Sequence, residues 1–476
     1  MKTINPRTIR ICETNHISFP IGSIAAVKKY FSKLGLSKVF GRHKKRGRDL
    51  TQLTSALVSY KLTENLSISK ASDWINRPDV LDLFGLSVFE ERTLFRVLER
   101  IGAEHEQIIF DLQKVLLETY DFEHTDIVMD WTSLILWGDK AELGRYGYSR
   151  DHRPDKKQIT LGLTALSDPI NIPVGLTVKE GNVVDVTHFK STYSQVQGIL
   201  REGSLITFDR GAYSKDNLDL IVADKMKYLT AKKLNKSDDK RIATFDPAKA
   251  ELVDEKNRVY GVKYVKPSRI DYLFYSETLA RSQIEARKRK AQRKFEEAKE
   301  IQDCLDNKKK LPKKYLIHNE LVDVTISYQT KLKQLGEEEA KRYIERVSFN
   351  GREGFFCITS TEDLTLKPAL YTYRKKDSIE KIINSLKNEI EIKPLRVWTE
   401  HSIRGALIIG FIAQLIISLI RYDYEELRNV STTFIKKSLE YLTVTVEYGK
   451  NQLKRWIFSN FNPINRLIFV KNQAIS

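Results

Sequence analysis

Cysteine is scarce: Cys12, Cys304 and Cys357 are the only three in 476 residues, far apart and without a Cys or His partner at zinc-ligand spacing. Neither a disulfide scaffold nor a zinc site is expected, and a reducing cytoplasm suits such a chain. Glycine and proline are also sparse, at 22 and 12 residues, which excludes collagen-like and low-complexity classes. The N-terminal stretch MKTINPRTIRICETNHISFP has no apolar run followed by a small-residue cleavage site, so no secretory leader is expected. Long hydrophobic runs are missing except for Gly405–Ile420, which contains Gln414 and is closed by Arg404 and Arg421. A membrane span usually needs about 20 apolar residues, so this segment reads as a helix buried in a soluble core, with no membrane partner. Also missing are the phosphate-binding loop G-x-x-x-x-G-K-[ST] and the patterns G-x-G-x-x-G, G-x-S-x-G and H-E-x-x-H. The commonest nucleotide, hydrolase and zincin chemistries therefore have no footing.

What the chain has in excess is positive charge. Lys and Arg total 80 against 62 Asp and Glu, a net charge of +18, and nucleic acid is the natural partner for that surplus. The length corresponds to roughly three domains of about 150 residues, with ample material for a core.

Residues 1–120 read as a helical, DNA-binding region. Ser87 and Glu90 form a capping-box pattern, and Leu94, Val97, Leu98 and Ile101 follow at the spacing of one helix face. Arg92, Arg96 and Arg100 lie on the opposite face, a shorter helix covers Ile68–Asn76, and the basic tract Gly41–Arg48 lies upstream. Arginines displayed in this way can meet phosphates or base edges, or simply solvate a helix.

From residue 121 to 234 the pattern becomes α/β. Asp126–Trp131, Gln158–Leu166, Ile172–Val178, Leu205–Asp209 and Lys227–Ala231 read as strands, while Val186–Leu200 and Lys215–Ala223 read as helices. Residues 235–350 differ. Strand-like Arg258–Val265 and Tyr272–Tyr275 lead into a basic helical stretch, Arg281–Lys314. The α/β pattern resumes over 351–425 with a strand at Gly354–Ser360 and a largely helical Pro368–Ile390. A core interrupted and later completed implies an inserted domain; 426–476 is expected to be a helical C-terminal region.

Carboxylates carry the chemistry that remains. Asp130 ends the apolar run Ile127-Val-Met-Asp, and Asp209 ends Leu205-Ile-Thr-Phe-Asp. An acid closing a hydrophobic strand is costly to bury unless it is paired or binds a cation. Either alone could be an N-cap or an ion-pair partner; two in one core point to a metal site, with Glu380, close to Ile379, Ile382 and Ile383, as the third ligand. Three carboxylates suit a pair of Mg²⁺ ions, which prefer oxygen ligands and can drive in-line phosphodiester displacement.

The spacing Tyr373-x-x-Lys376-x-x-x-Glu380-x-x-x-x-x-x-Lys387 resembles the Y-R-E-K signature of DDE transposases of bacterial and archaeal insertion sequences, the family numbered four in their scheme, and its relatives. Lys376 stands where that signature has Arg, replacing a bidentate fork by a point charge. Gly147–Asp155, Gly181-Asn182-x-x-Asp185, Phe208–Ser214 and Trp398–Arg404 look like the same family. The resemblance implies an α/β RNase H-like catalytic core built around Asp130, Asp209 and Glu380, with a helical N-terminal region and a mixed α/β insertion domain. It implies two Mg²⁺ ions, with Mn²⁺ as a substitute, held by those three residues. Tyr373, Lys376 and Lys387 would hold the DNA backbone near the cut, with Arg92 and Arg96 as further DNA contacts. It also implies strand cleavage and strand transfer at the ends of an insertion sequence, with double-stranded terminal repeats and target DNA bound by a homodimer. An RNase H-like nuclease without strand transfer, or a DNA-binding protein with an inactive site, uses the same residues. Asp151, His152 and Asp155 read as structural or DNA-adjacent, Asp185 as the N-cap of the following helix, and His188 and His401 carry no assigned role.

Overall fold

A computed structural model describes residues 17–43, 49–63, 67–310, 338, 342, 346, 349–448 and 454–470. Cys12, most of the basic tract Gly41–Arg48 and the end of the Arg281–Lys314 stretch lie outside the described residues. The chain forms two compact units, Met1–Lys227 with Lys375–Ser476, and Tyr228–Arg374.

The first unit opens with a short strand, β1 (Ile17–Pro20), and seven helices: α1 (Gly22–Lys33), α2 (Leu36–Arg42), α3 (Leu50–Lys61), α4 (Ile68–Ile75), α5 (Pro78–Phe84), α6 (Arg92–Ala103) and α7 (His105–Thr119). Sequence and structure agree on the apolar face of α6, where Leu94, Val97, Leu98 and Ile101 are buried. They disagree on its start. The helix begins at Arg92 after Glu91, so Ser87 and Glu90 precede it and form no capping box at its N-terminus.

Four sheet strands follow, neighbouring one another in the order β4-β3-β2-β5. Strands β2 (Ile127–Ile135), β3 (Gln158–Leu166) and β4 (Ile172–Glu180) form an antiparallel meander. Helix α8 (Asp185–Val196) then carries the chain across to β5 (Leu205–Phe208), which runs parallel to β2, as a parallel neighbour requires a crossover. Almost every residue of β2 and β3 is buried, the mark of strands covered on both faces. Helix α9 (Lys215–Ala223) closes this part of the unit.

In the second unit, β6 (Lys227–Lys232), β7 (Glu251–Asp254), β8 (Val259–Val265), β9 (Ile270–Ser276) and β10 (Phe355–Ser360) order as β6-β10-β9-β8-β7. Helix α10 (Lys236–Ala243), the long α11 (Glu277–Asp306) and α12 (Leu366–Arg374) complete its described helices of eight or more residues. Its span is wider than the 235–350 insertion read from sequence. Strand β10 pairs on one side with β6 and on the other with β9, so backbone hydrogen bonding draws residues on either side of 235–350 into the same unit.

The chain returns to the first unit through α13 (Asp377–Asn384) and a π-helical turn, Ser385–Glu389. The stretch read as largely helical, Pro368–Ile390, is helical in three pieces, interrupted at Lys375–Lys376 and widened at its end. Next comes α14 (Glu400–Asp423), with 89% of its most apolar window buried. Among the described residues this is the one helix long and apolar enough to span a membrane, and it is buried as a core helix. Its one mid-span amide is satisfied: Gln414 Oε1 accepts from Ser385 Oγ at 2.8 Å. Helix α15 (Thr432–Tyr441) precedes a hairpin of β11 (Thr443–Tyr448) and β12 (Lys454–Ser459), and α16 (Pro463–Phe469) ends the described chain. The C-terminal region is therefore mixed rather than helical, because the β-branched run Thr443–Val446 pairs with β1 in an antiparallel register.

Helices α6 and α14 cross backbone to backbone. A Cβ on Gly102 would lie 1.7 Å from the His401 carbonyl oxygen, and one on Gly405 would lie 2.0 Å from that of Leu98. Backbone cannot yield as a side-chain tip can. Gly102→Ala and Gly405→Ala should each cost about 3 kcal/mol or more, read as a lowered urea midpoint with unchanged slope; a midpoint within error of the parent would contradict this close crossing.

Candidate carboxylate site

Asp130 lies within β2, three residues after its first residue. It is buried, and its Oδ1 accepts the Trp131 backbone N–H at 2.8 Å while Arg150 Nη1 stands 3.6 Å away. Burial pushes its carboxyl up to about 6; the Arg150 guanidinium is the strongest opposing influence, followed by the Trp131 N–H and Lys376. Asp209 follows β5 directly and opens a tight turn, Arg210–Ala212. Glu380 lies in the first turn of α13, whose Ile379, Ile382 and Ile383 are buried; α13 packs on β2 and β3. Hydrophobic anchoring of three separate elements thus brings the three acids into one neighbourhood.

Lys376 joins them. Its Nζ is 3.0 Å from Glu380 Oε1 and 3.8 Å from Asp209 Oδ1. Burial alone would lower its pKa, but the carboxylates of Glu380, Asp209 and Asp130 together hold it above the ordinary lysine value. An ammonium is a stand-in for the charge of a bound cation. The donor set, all carboxylate oxygen, is the kind that Mg²⁺ selects. Asp209 and Glu380 are 43% and 55% exposed at the side chain, which leaves room for water and phosphate. The residues present therefore fit a divalent cation. The arrangement is open: among the described residues, the group of three such ligands with donor atoms all within 4.8 Å of one another is Asp238, Asp271 and Cys357 of the second unit. Two ions about 4 Å apart spread their ligands more widely than one.

The other sequence-derived positions divide. Lys387 lies in the π-helical turn with its side chain only 8% exposed, 3.6 Å from Asp151 Oδ1. Burial lowers its pKa and Asp151 opposes that effect. It is thus held in an internal ion pair instead of standing free on the surface. Tyr373 is half-buried on α12 and belongs to the second unit. Arg92 and Arg96 are exposed on α6, while Arg100 donates from Nε to the His43 carbonyl at 3.0 Å. Asp155 pairs with Arg153 at 2.8 Å. His188 is a core residue, its ring nitrogens 2.9 and 3.3 Å from Thr177 and Thr160 hydroxyls, with burial pushing its pKa down to about 3.

Sequence reasoning missed Arg150. Its Nη2 donates to Asp185 Oδ2 at 2.6 Å. Asp185 is consequently no N-cap: Val184 takes that position, and the Asp185 carboxylate turns to the guanidinium. The signal was the compact polar segment Gly147–Asp155, legible as a cluster but not as a partner of Asp130.

Residues 121–416 match the family model described as Transposase DDE domain. Among solved structures, a piggyBac transposase synaptic complex with hairpin DNA, determined by cryo-EM, aligns at 10% identity and a TM-score of 0.41, over 88% of this chain and 76% of that one. No curated protein matches the chain.

The raised Asp130 carboxyl has a stability consequence. Between its unfolded value near 3.8 and about 6, the folded protein binds the extra proton, so this residue's contribution to stability is complete below the lower value and lost as pH rises through the upper one. In chelator, Asp130→Asn should therefore stabilise the protein at pH 7, by about 3 kcal/mol, and much less at pH 4. Urea melts at the two pH values check this; equal effects at both would show that Asp130 is not destabilised by its ionisation.

Proposed function

Since the chain belongs to the transposase DDE domain family, we propose that it is a Y-R-E-K-type transposase that cleaves and joins DNA strands at the ends of an insertion sequence, with Asp130, Asp209 and Glu380 as its catalytic carboxylates. The observation that carries this reading is the Lys376 ammonium shared by Glu380 and Asp209, within the field of Asp130. Acids from three distant parts of the chain meet around one positive charge. An antiparallel meander whose first strand pairs in parallel with a fourth strand supports an RNase H-like core.

The three carboxylates would hold Mg²⁺, or Mn²⁺ in its place. When bound, such ions supply the Lewis acidity that activates an attacking oxygen and stabilises the leaving one. The chain's own residues prepare that site. Asp130, at about 6, is mostly ionised at neutral pH and can donate to a cation without an added base. Lys376 offsets the mutual repulsion of the acids in the free protein and would hold a DNA phosphate near the cut. Lys387 acts indirectly, through Asp151. Exposed Arg92 and Arg96 are free to meet phosphates of double-stranded DNA. Tyr373 would contact the DNA backbone near the cut. The protein would act in the cytoplasm as a homodimer on paired element ends, and the net charge of +18 favours such a partner.

Asp130→Ala, Asp209→Ala and Glu380→Ala should each abolish Mg²⁺-dependent nicking of the element's terminal repeats while leaving end binding, measured by gel shift, largely intact. Cleavage retained by any one variant removes that residue from the site. A precut 3′-OH end offered to the parent protein should yield joined product; hydrolysis without joining would mark a nuclease.

A further inference from the structure

We infer that Arg150, anchored by Asp185, is a positioning residue of the carboxylate site, setting the spacing between β2 and the turn that follows Asp209. The inference rests on the carboxylate reading above. Arg150 is fixed at both ends. Its backbone N–H donates to Ser133 Oγ at 3.0 Å, and Ser133 lies on β2, three residues beyond Asp130. Its guanidinium divides between two acids, with Nη1 3.6 Å from Asp130 Oδ1 and Nη2 2.6 Å from Asp185 Oδ2. The planar fork gives each acid its own nitrogen in a fixed geometry, which a single ammonium on a flexible stem does not reproduce.

The same Asp185 oxygen that accepts from Arg150 also faces the second carboxylate's turn. A Cβ at Gly211 would stand 2.6 Å from Asp185 Oδ2, so any side chain there pushes the carboxylate off Arg150. Gly211 lies two residues past Asp209 within the Arg210–Ala212 turn. The next loop residue extends the linkage: Asp151 Oδ1 is 3.6 Å from buried Lys387 Nζ, in the π-helical turn directly after the helix that carries Glu380. Two adjacent loop residues are thus linked, directly to β2 and through Asp185 and Lys387, to the elements that bear or adjoin the three acids. Groups that hold metal ligands in place generally matter about 10–100-fold for metal affinity or activity.

A second role for Arg150, as a charge competing with the cation, predicts the opposite sign, and direct metal binding separates the two. Mn²⁺ alone is titrated into the full chain without DNA, and free Mn²⁺ is followed by electron paramagnetic resonance, with thermal unfolding of each variant alongside. Arg150→Gln and Gly211→Ala should each weaken Mn²⁺ binding about tenfold or more, and Arg150→Lys should remain weakened because a single flexible ammonium lacks the fork that fixes each acid to its own nitrogen. Unchanged or tighter binding in Arg150→Gln overturns the positioning role, as does wild-type affinity in Arg150→Lys. Should Arg150→Gln fail to fold, Gly211→Ala decides, since it leaves every charge in place. If the parent takes up no more Mn²⁺ than Asp130→Ala, the carboxylate centre itself falls, and this inference with it.

Discussion

Mutual repulsion of acids placed close together is the constraint around which the first unit is built. Three carboxylates can share a neighbourhood only if positive charge is supplied there. Lys376 supplies it between Asp209 and Glu380, and Arg150 supplies it beside Asp130. The two cations differ in kind. The lysine is a flexible point charge, whereas the arginine is tied at its backbone and shared with Asp185.

The second unit handles buried charge differently. Lys232 and Asp238 pair at 2.8 Å with side chains 2% and 0% exposed, and Asp271, also at 0%, lies 3.6 Å from Lys232 and 3.3 Å from Arg241 and Arg269. Cys357, the cross-strand neighbour of Lys232, has its thiol pushed up to about 12 by burial. Asp238, Asp271 and Cys357 are close enough to grip one ion, but the Lys232 ammonium is already hydrogen-bonded to Asp238 and paired with Asp271, and the thiol is no ligand while it stays protonated. Such a paired cluster links β6, β9 and α10. Removing one partner would leave an uncompensated charge in the interior, so it acts as a structural joint.

Much of the secondary structure was legible because local rules were strong. Strand β3 and helix α9 coincide with the alternation and periodicity of Gln158–Leu166 and Lys215–Ala223, and the Gly405–Ile420 run became a buried helix. The misreadings occurred where non-local pairing outweighed local signal. Ser87 has the residue type of a cap, yet the chain turns helical only at Arg92. Asp185 looked like a cap and is used by Arg150 instead. The C-terminal region became partly sheet because β1, more than four hundred residues earlier, offers it an edge.

Sequence by itself determined which acids sit at the ends or within apolar strands, because burying a carboxylate is costly enough to be conspicuous. It also determined the spacing of Lys376 and Glu380, one helical turn apart along the chain. Only the tertiary structure decided what faces those acids. That Lys376 reaches Asp209, that Arg150 reaches Asp130, and that Lys387 is spent on Asp151 depend on how strands and helices far apart in the chain are packed. A side chain's partner is set by distances in space of a few ångströms, and the order of residues along a polymer does not encode those until the core has closed.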